Sequence, residues 1–164
     1  MFHFFKREKE EITEVILNAI TIGKVIPLEQ VPDKMFAEKM MGDGVGFVYD
    51  GDMVCAPCNG TVTMLANTKH AIGMKLDNGA ELLIHVGLDT VSLNGKGLEA
   101  LVQVGDKVKQ GQAMLHIDRV FMEENKIDLT TPMIMMMDDN FTLEIGNNNR
   151  EVNTDSIVMK IYRQ

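Results

Sequence analysis

Short β-prone runs separated by Gly, Asn and Asp dominate the 164-residue sequence and limit the folds it can adopt. The clearest runs are TIGKVI, GFVYD, GTVTML, AIGMKL, ELLIHV, QAMLHID, FTLEI and SIVMKIY. Many short strands with tight turns are typical of a sandwich or barrel, whereas a parallel α/β sheet needs helical crossovers. Only PDKMFAEKMM and RVFMEENK favour helices, and both are brief. We therefore predict an all-β fold: an antiparallel β-sandwich or barrel with short helical turns.

Length and composition favour one soluble domain. A chain of 164 residues suits a single core, and we expect a tail over residues 1–13 followed by a domain over residues 14–164. No apolar run approaches the roughly 18 residues of a membrane span, and the opening MFHFFKREKE does not resemble a signal peptide, so we expect a cytoplasmic protein. The formal charge of −8 argues against nucleic acid and favours a basic protein partner.

The two cysteines, Cys55 and Cys58, form the stretch CAPC. This spacing alone fits a redox dithiol or half of a zinc site. A thioredoxin-like motif opens a helix, however, whereas CAPC is followed by NGTVTML, which predicts a turn and a strand. No second CxxC completes a zinc site, so we expect two ordinary thiols.

A weak internal repeat links AITIGKV, residues 19–25, with APCNGTV, residues 56–62. Both read Ala, three residues, Gly, one residue, Val. The repeat is short enough to arise by chance, but it also fits two related corners of one sandwich.

The strand-like run ELLIHV carries a histidine, His85, among apolar residues. The preceding Asn78-Gly79 pair is a strong hairpin signal, and a two-residue loop there would place His85 opposite Ile72 and His70 opposite Gly87. His70 and His85 would then share one face as diagonal neighbours, whereas a loop one residue longer would put them on opposite faces. Such a pair fits a metal site, a nucleophile with a hydrogen-bonding helper, or a structural pair.

The stretch GAELLIHVGLDTV resembles the phosphorylation-site signature of the enzyme IIA domain, glucose family, of the bacterial sugar phosphotransferase system. The likeness continues through PDKMFAEKMMGDGVGF, APCNGTV, TKHAIGM and LNGKGLEALVQVGDKVKQGQ, in the family's order, and covers residues 14–164. The resemblance implies a phosphotransferase component in a freestanding, single-domain form. It does not indicate which sugar is transported.

The resemblance also implies roles for individual residues. His85 would accept a phosphoryl group from the histidine-containing phosphocarrier protein and donate it to a cysteine of the IIB domain of a sugar permease. His70 would stabilise the bound phosphoryl group, Thr68 would orient the His70 ring, and the Gly87 carbonyl would fix the tautomer of His85. No cofactor is required, although the family allows zinc at His70 and His85 together with a carboxylate from a partner.

A partner surface around the histidines is implied as well. Two acidic residues would meet basic residues of the phosphocarrier, and four apolar residues would form a shallow surface. The acidic pair is Asp43 and Asp89, and the apolar set is Val45, Phe47, Ile72 and Leu83. We expect His116 and His3 to have structural or surface roles, and the opening MFHFFKREK to be a frayed tail rather than a membrane contact.

Two other functions compete with the phosphocarrier. The protein could act mainly as a regulatory binding module that reports sugar flux to transporters or kinases, because phosphocarrier and regulator differ only in their partners. A zinc metallopeptidase of the lysostaphin-like sandwich is the other alternative. It requires an H-x-x-x-D pattern together with an H-x-H pattern; the sequence has the first, from His85 to Asp89, but lacks the second.

Overall fold

The computed structural model of the protein describes residues 11–164, and the described part is built mainly of short β-strands. The strands are β1 (Glu14–Asn18), β2 (Gly23–Pro27), β3 (Gly42–Tyr49), β4 (Met53–Cys55), β5 (Gly60–Leu65), β6 (Ala71–Leu76), β7 (Glu81–His85), β8 (Leu98–Ala100), β9 (Lys107–Val108), β10 (Ala113–Ile117), β11 (Thr131–Met136), β12 (Phe141–Ile145), β13 (Arg150–Val152) and β14 (Ile157–Arg163). His3 and most of the predicted tail lie outside the described residues.

Both predicted helices are present, but they are short. Helix α1 spans Lys34–Ala37 and α2 spans Arg119–Glu124, while single 3₁₀ turns cover Leu28–Gln30 and Thr90–Leu93. An aspartate caps each α-helix, since Asp33 accepts from the amide of Met35 and Asp118 from that of Phe121. Helix α1 ends before Lys39, whose φ of 57° is incompatible with a helix.

The strands form three sheets in which neighbouring strands pair antiparallel. The large sheet has the order β13-β2-β3-β11-β7-β6-β5-β9, and the two smaller ones are β1-β14-β12 and β4-β10-β8. One core cluster draws on all three sheets, so the small sheets cover one face of the large one. The predicted class, an antiparallel β-sandwich with short helical turns, is confirmed. No helix within residues 11–164 is long and apolar enough to cross a membrane.

The inner face of the large sheet is the centre of this core. Val45, Met133, Ile84 and Ile72 are successive cross-strand partners on β3, β11, β7 and β6, and each is fully buried. Burial of such side chains contributes roughly 1.5–3 kcal/mol each to folding. The middle of the sheet is therefore well packed, and it supports the residues on its other face.

The outer face of the same sheet carries a second, smaller apolar cluster. It consists of Ile26, Leu28, Val31, Phe36, Ala71, Leu83, Leu88 and Ile134. The segment over residues 28–41 contributes to this cluster and crosses close to β3, where a Cβ on Gly46 would lie 2.7 Å from Cγ2 of Val31. The absence of a side chain at Gly46 thus lets the segment lie close to the sheet.

Each of the two repeat segments is hydrogen-bonded to the residue that precedes the other. The amide of Asn18 donates to the carbonyl of Pro57 at 2.8 Å, and the amide of Cys55 donates to that of Ile20 at 2.8 Å. The repeat glycines, Gly23 and Gly60, begin β2 and β5. The similarity between the two stretches therefore corresponds to two related corners of one sandwich.

The predicted register of the β6–β7 hairpin is wrong by one residue. His85 pairs with Ala71, and Ile84 pairs with Ile72. The loop has three residues, because the amide of Leu76 donates to the carbonyl of Ala80 at 2.8 Å. Gly79, with a φ of 92°, follows a tight turn closed by its own amide on the carbonyl of Leu76. This turn-plus-glycine loop is the common three-residue alternative to the two-residue hairpin.

Candidate functional site

The imidazole rings of His70 and His85 lie next to each other on the outer face of the large sheet. Their centroids are 4.9 Å apart, and the ring planes meet edge to face at 73°. With the observed register, strict alternation would direct a strand residue at position 70 to the inner face. His70 is not in β6, however, because it lies in a bend after Lys69, whose φ is 60°. The bend, and not the hairpin register, brings the two histidines together.

The protonation of the His85 ring is fixed by a backbone carbonyl two residues further along the chain. Nδ1 of His85 donates a hydrogen bond to the carbonyl of Gly87 at 2.8 Å. A carbonyl oxygen can only accept, so Nδ1 carries the proton and Nε2 of the neutral ring keeps its lone pair. Gly87 adopts a φ of 76°, which a residue with a side chain rarely tolerates. His85 therefore presents Nε2 as a potential nucleophile or ligand.

The His70 ring is oriented by a neighbour on the same bend. The hydroxyl of Thr68 shares a hydrogen bond with Nδ1 of His70. When Thr68 donates this bond, the proton of the neutral His70 ring lies on Nε2. Both rings thus have Nδ1 engaged by protein atoms and Nε2 available for something else. The structure places the predicted residues Thr68, His70, His85 and Gly87 together.

Both histidines favour the neutral form. Burial lowers the pKa of His70 from the ordinary value of 6.5, and the nearby His85 lowers it further. Burial also lowers the pKa of His85, although the carbonyl of Gly87 and the carboxylates of Asp33 and Asp89 act in the opposite direction. At neutral pH each ring therefore has one nitrogen lone pair.

Phe36 and Asp33, both from the segment over residues 28–41, border the site and were missed by the sequence analysis. The buried ring of Phe36 lies 5.1 Å from that of His85, tilted by 56°. Asp33 caps helix α1 and acts on His85 electrostatically. The available signal was the VPDKMF stretch, in which an aspartate before a short helix is a typical N-cap.

The predicted apolar surface is largely wrong. Val45, Phe47 and Ile72 are fully buried in the main core, so no partner can contact them. Their alternation along β3 and β6 directs them to the inner face, away from the histidines. Leu83 does lie on the outer face, in the smaller cluster with Phe36. The exposed apolar side chains on the segment that carries Phe36 are Met35 and Met40.

The two predicted acidic residues have different surroundings. Asp89 is exposed on the loop after β7, and its charge acts on His85. Asp43 lies at the start of β3, where its carboxylate accepts from the amide of Gly44 and lies 3.5 Å from Nζ of Lys39. Asp43 is three residues along β3 from Gly46, the point where the segment over residues 28–41 crosses the sheet. At the usual strand rise the two residues are roughly 10 Å apart. A partner contact at Asp43 remains a prediction.

The site offers only part of the ligand set that a zinc ion needs. Zinc in proteins prefers four ligands, and the Nε2 atoms of His70 and His85 are two nitrogen donors of the right kind. Within residues 11–164, no group of three or more His, Cys, Asp or Glu side chains is arranged to hold a metal. A zinc ion at this pair would therefore need further ligands from outside the described residues, and zinc binding remains a prediction.

His116 and the cysteines lie in other parts of the fold. Nε2 of His116 lies 3.2 Å from a carboxylate oxygen of Asp52, and its Nδ1 lies 3.8 Å from one of Glu99 on the neighbouring strand. Cys55 and Cys58 are both free thiols. Burial and the nearby Asp77 raise the pKa of Cys58 to about 12, which disfavours the reactive thiolate.

Comparison with known proteins identifies the class to which this fold and site belong. Residues 15–141 match the family described as phosphoenolpyruvate-dependent sugar phosphotransferase system, EIIA 1. This match covers most of the chain, which therefore belongs to that family. The resemblance drawn from the sequence is confirmed, and the protein is a phosphotransferase-system component of the EIIA type.

Two relatives illustrate the similarity. The chain is 41% identical over 152 residues to the PTS system glucose-specific EIICBA component of Staphylococcus saprophyticus; the match covers 93% of this chain but only 22% of that longer protein. The solved structure of glucose permease IIA from Mycoplasma capricolum has a TM-score of 0.83 and 31% identity, and the match covers 98% of this chain and 99% of that one.

Proposed function

We propose that this protein carries a phosphoryl group on Nε2 of His85. The group would arrive from the histidine-containing phosphocarrier protein and leave to a cysteine of the IIB domain of a sugar permease. The observation that carries this proposal is the hydrogen bond from Nδ1 of His85 to the carbonyl of Gly87, which leaves Nε2 as the nucleophilic nitrogen. A neutral ring at pH 7, favoured by the lowered pKa of His85, supports it.

The two transfers exchange one bond to phosphorus for another. In the first, the P–N bond to the donor histidine breaks as a P–N bond to Nε2 of His85 forms. In the second, that bond breaks as a P–S bond to the acceptor cysteine forms. Water takes no part, and the donor already carries an activated group. The contribution of this chain is positioning and charge stabilisation, as in phosphoryl transfer generally.

His70 would stabilise the charge of the transferred group. With Thr68 donating to its Nδ1, the Nε2–H of His70 can donate to a phosphoryl oxygen bound to His85. The ring separation of 4.9 Å supports this role, since it brings a group on one ring within reach of the other. Loss of the donor should impair transfer more than it impairs binding of the phosphocarrier.

Acidic residues beside the site would attract the phosphocarrier. Asp33 and Asp89 both act electrostatically on His85, and the chain as a whole carries a formal charge of −8. A basic partner surface would be steered toward these carboxylates, while the exposed Met35 and Met40 would supply apolar contacts. Such an interface suits a short-lived complex.

The acceptor would be the IIB domain of a glucose-type permease. Both relatives described above carry glucose in their names, and one of them is itself a permease component. Transfer from the phosphorylated protein to membranes containing a glucose permease should exceed transfer to membranes containing a permease for another sugar. Equal transfer to both would contradict this assignment of the acceptor without affecting the carrier role of His85.

The carrier role is tested by incubation with phosphoenolpyruvate, enzyme I and the phosphocarrier, followed by mass spectrometry. The protein should gain one acid-labile phosphoryl group, and His85→Ala should abolish the gain. His116→Gln is the matched control, because that histidine lies on β10 of a separate small sheet and should leave the gain unchanged. A gain that survives His85→Ala would contradict the proposal.

The helper role and the steering role each need a separate variant. His70→Gln should still accept a phosphoryl group but pass it on slowly. Asp33→Asn and Asp89→Asn should slow acceptance at low salt and have less effect at high salt. Asn is as good an N-cap as Asp, so Asp33→Asn removes the charge without removing the helix cap. Asp155→Asn, an exposed change on the turn before β14, is the control.

A further inference from the structure

The carbonyl of Gly87, which takes the Nδ1 proton of His85, belongs to a loop held by the segment that leads into β11. The amide of Leu88 donates to the carbonyl of Asp128 at 2.8 Å. The amide of Gly87 donates to the hydroxyl oxygen of Thr131 at 3.4 Å. Because Gly87 has an otherwise permissive backbone, these two bonds restrict the direction in which its carbonyl points.

The hydroxyl of Thr131 uses all of its hydrogen-bonding capacity in this position. It donates its one proton to the carbonyl of Leu129 at 2.8 Å. It also lies 2.8 Å from the hydroxyl of Tyr49, so Tyr49 must be the donor of that bond. The remaining lone pair accepts from Gly87. Thr131 is fully buried and Tyr49 nearly so, and water therefore cannot easily replace either group.

Arg119, the first residue of α2, holds Tyr49 in turn. The guanidinium of Arg119 lies 4.9 Å from the centre of the Tyr49 ring and donates to the carbonyls of Tyr49 and Gly51. Burial raises the pKa of Tyr49 to about 12, so its hydroxyl remains a donor at any physiological pH. A continuous chain of contacts therefore runs from α2 through Tyr49 and Thr131 to the loop beside His85.

We propose that Thr131, with Tyr49 donating to it, is a positioning residue for phosphoryl transfer. Its hydroxyl holds the Gly87 amide and so restricts φ of Gly87, while the bond from the Leu88 amide to Asp128 holds the peptide that contains the Gly87 carbonyl. Together they direct that carbonyl to Nδ1 of His85 and leave Nε2 as the nucleophile. This role rests on the proposed carrier function of His85. Without the hydroxyl, the Gly87 amide loses its partner, although Thr90 still holds the Val86 carbonyl of the same peptide. The ring can then populate more of the other tautomer, in which Nε2 carries the proton and cannot attack phosphorus.

The test compares Thr131→Val, which removes the hydroxyl but keeps the shape, with Thr131→Ser, which keeps the hydroxyl. Thr130→Val is the matched control, because Thr130 is a neighbouring buried threonine that bonds to Asp128 through its amide, which the substitution keeps. The nitrogen chemical shifts of the His85 ring report which nitrogen is protonated, independently of any phosphorylation. The initial rate of phosphoryl acceptance is measured on the same samples.

Thr131→Val should raise the fraction of the Nε2-protonated tautomer and slow acceptance on the order of tenfold, the lower end of what losing an orienting partner costs a metal-bound histidine. Thr131→Ser should restore both readouts, and Thr130→Val should change neither. Tyr49→Phe, which removes only the bond to Thr131, should shift the tautomer in the same direction but less. If Thr131→Val does not fold, Tyr49→Phe decides.

If Thr131→Val folds and its tautomer ratio is unchanged, the positioning role is overturned even if acceptance slows. If Thr131→Val does not fold, an unchanged ratio in Tyr49→Phe overturns it. If the wild type accepted no phosphoryl group while Thr131→Val still shifted the tautomer ratio, this result would have a different meaning. It would uphold the action of Thr131 on the ring and contradict the carrier function instead. The two failures are therefore distinguishable.

Discussion

The buried ring of Phe36 packs against the ring of His85, with centroids 5.1 Å apart, and thereby joins the segment over residues 28–41 to the site. Phe36 belongs to the apolar cluster on the outer face and is only 2% exposed. It has two effects at once, because it stabilises the segment on the sheet and limits the movement of the His85 ring. The proposed partner surface and the proposed nucleophile are therefore in direct contact.

We expect Phe36→Ala to lower the free energy of unfolding by about 3–5 kcal/mol, the usual cost of removing a buried phenylalanine. Phe36→Leu should cost about 1–1.5 kcal/mol, since most of the volume is kept. Urea unfolding measures both. The rate of phosphoryl acceptance should fall in Phe36→Leu as well, because the flat ring against His85 is lost. A Phe36→Ala protein as stable as the wild type would contradict the packing described here.

The pKa of His70 should depend on its neighbour. Burial is the main cause of the lowered pKa and His85 is the second, so His85→Gln should raise the pKa of His70 while leaving it below 6.5. A proton NMR titration of the His70 ring measures this value. An unchanged pKa would mean that the two rings do not interact in solution at the distance observed here.

The lowered pKa values of His70 and His85 make the stability of the protein depend on pH. A histidine whose folded-state pKa lies below 6.5 stabilises the fold fully above that pH, and the contribution is lost as the pH falls through the folded-state pKa. The wild type should therefore lose more stability than His70→Gln between pH 7.5 and pH 5, as measured by urea unfolding. Equal losses in the two proteins would contradict this assignment.

The amide of Asn78 should be important for stability although it lies in a hairpin loop. The side chain is 2% exposed; it donates to the carbonyls of Thr13 and Ile161 and accepts from the amide of Ala80. Asn78→Ala should cost about 1–3 kcal/mol, because buried polar groups lose their partners. Asn147→Ala, at an exposed position, should be near neutral. Comparable stability of the two variants by thermal unfolding would refute the difference.

The two cysteines should differ in reactivity. Burial raises the pKa of both thiols, but Cys58 is the more deeply buried and reaches about 12, with Asp77 contributing. Iodoacetamide at pH 8 should therefore alkylate Cys55 slowly and leave Cys58 unmodified until urea unfolds the protein. Peptide mass spectrometry identifies the modified residue, and Cys55→Ser is the control that should show no labelling in the native state. Rapid native labelling of Cys58 would indicate a more open corner.

Several strands could be predicted from the sequence with accurate bounds, and others could not. GTVTML, AIGMKL and FTLEI became β5, β6 and β12 because β-branched and apolar residues there lie between clear turn residues. Strand β11, TPMIMM, was missed, because it contains a proline and three methionines, which are not typical of strands. This strand pairs with both β3 and β7 and carries Thr131. Its place in the sheet depends on contacts with residues far away in the sequence.

The sequence by itself determined the antiparallel β-class, the family, and the residues at the centre of the site. These follow from local patterns, since turn residues, strand runs and the HVGLDT motif can each be recognised within a few positions. Only the tertiary structure decided how His70 reaches His85. The hairpin loop is one residue longer than predicted, and a bend at Lys69 compensates for the altered register. The tertiary structure also decided to which side of the sheet Val45, Phe47 and Ile72 point. Which side of a strand is covered depends on the packing of sheets whose strands are distant in the chain.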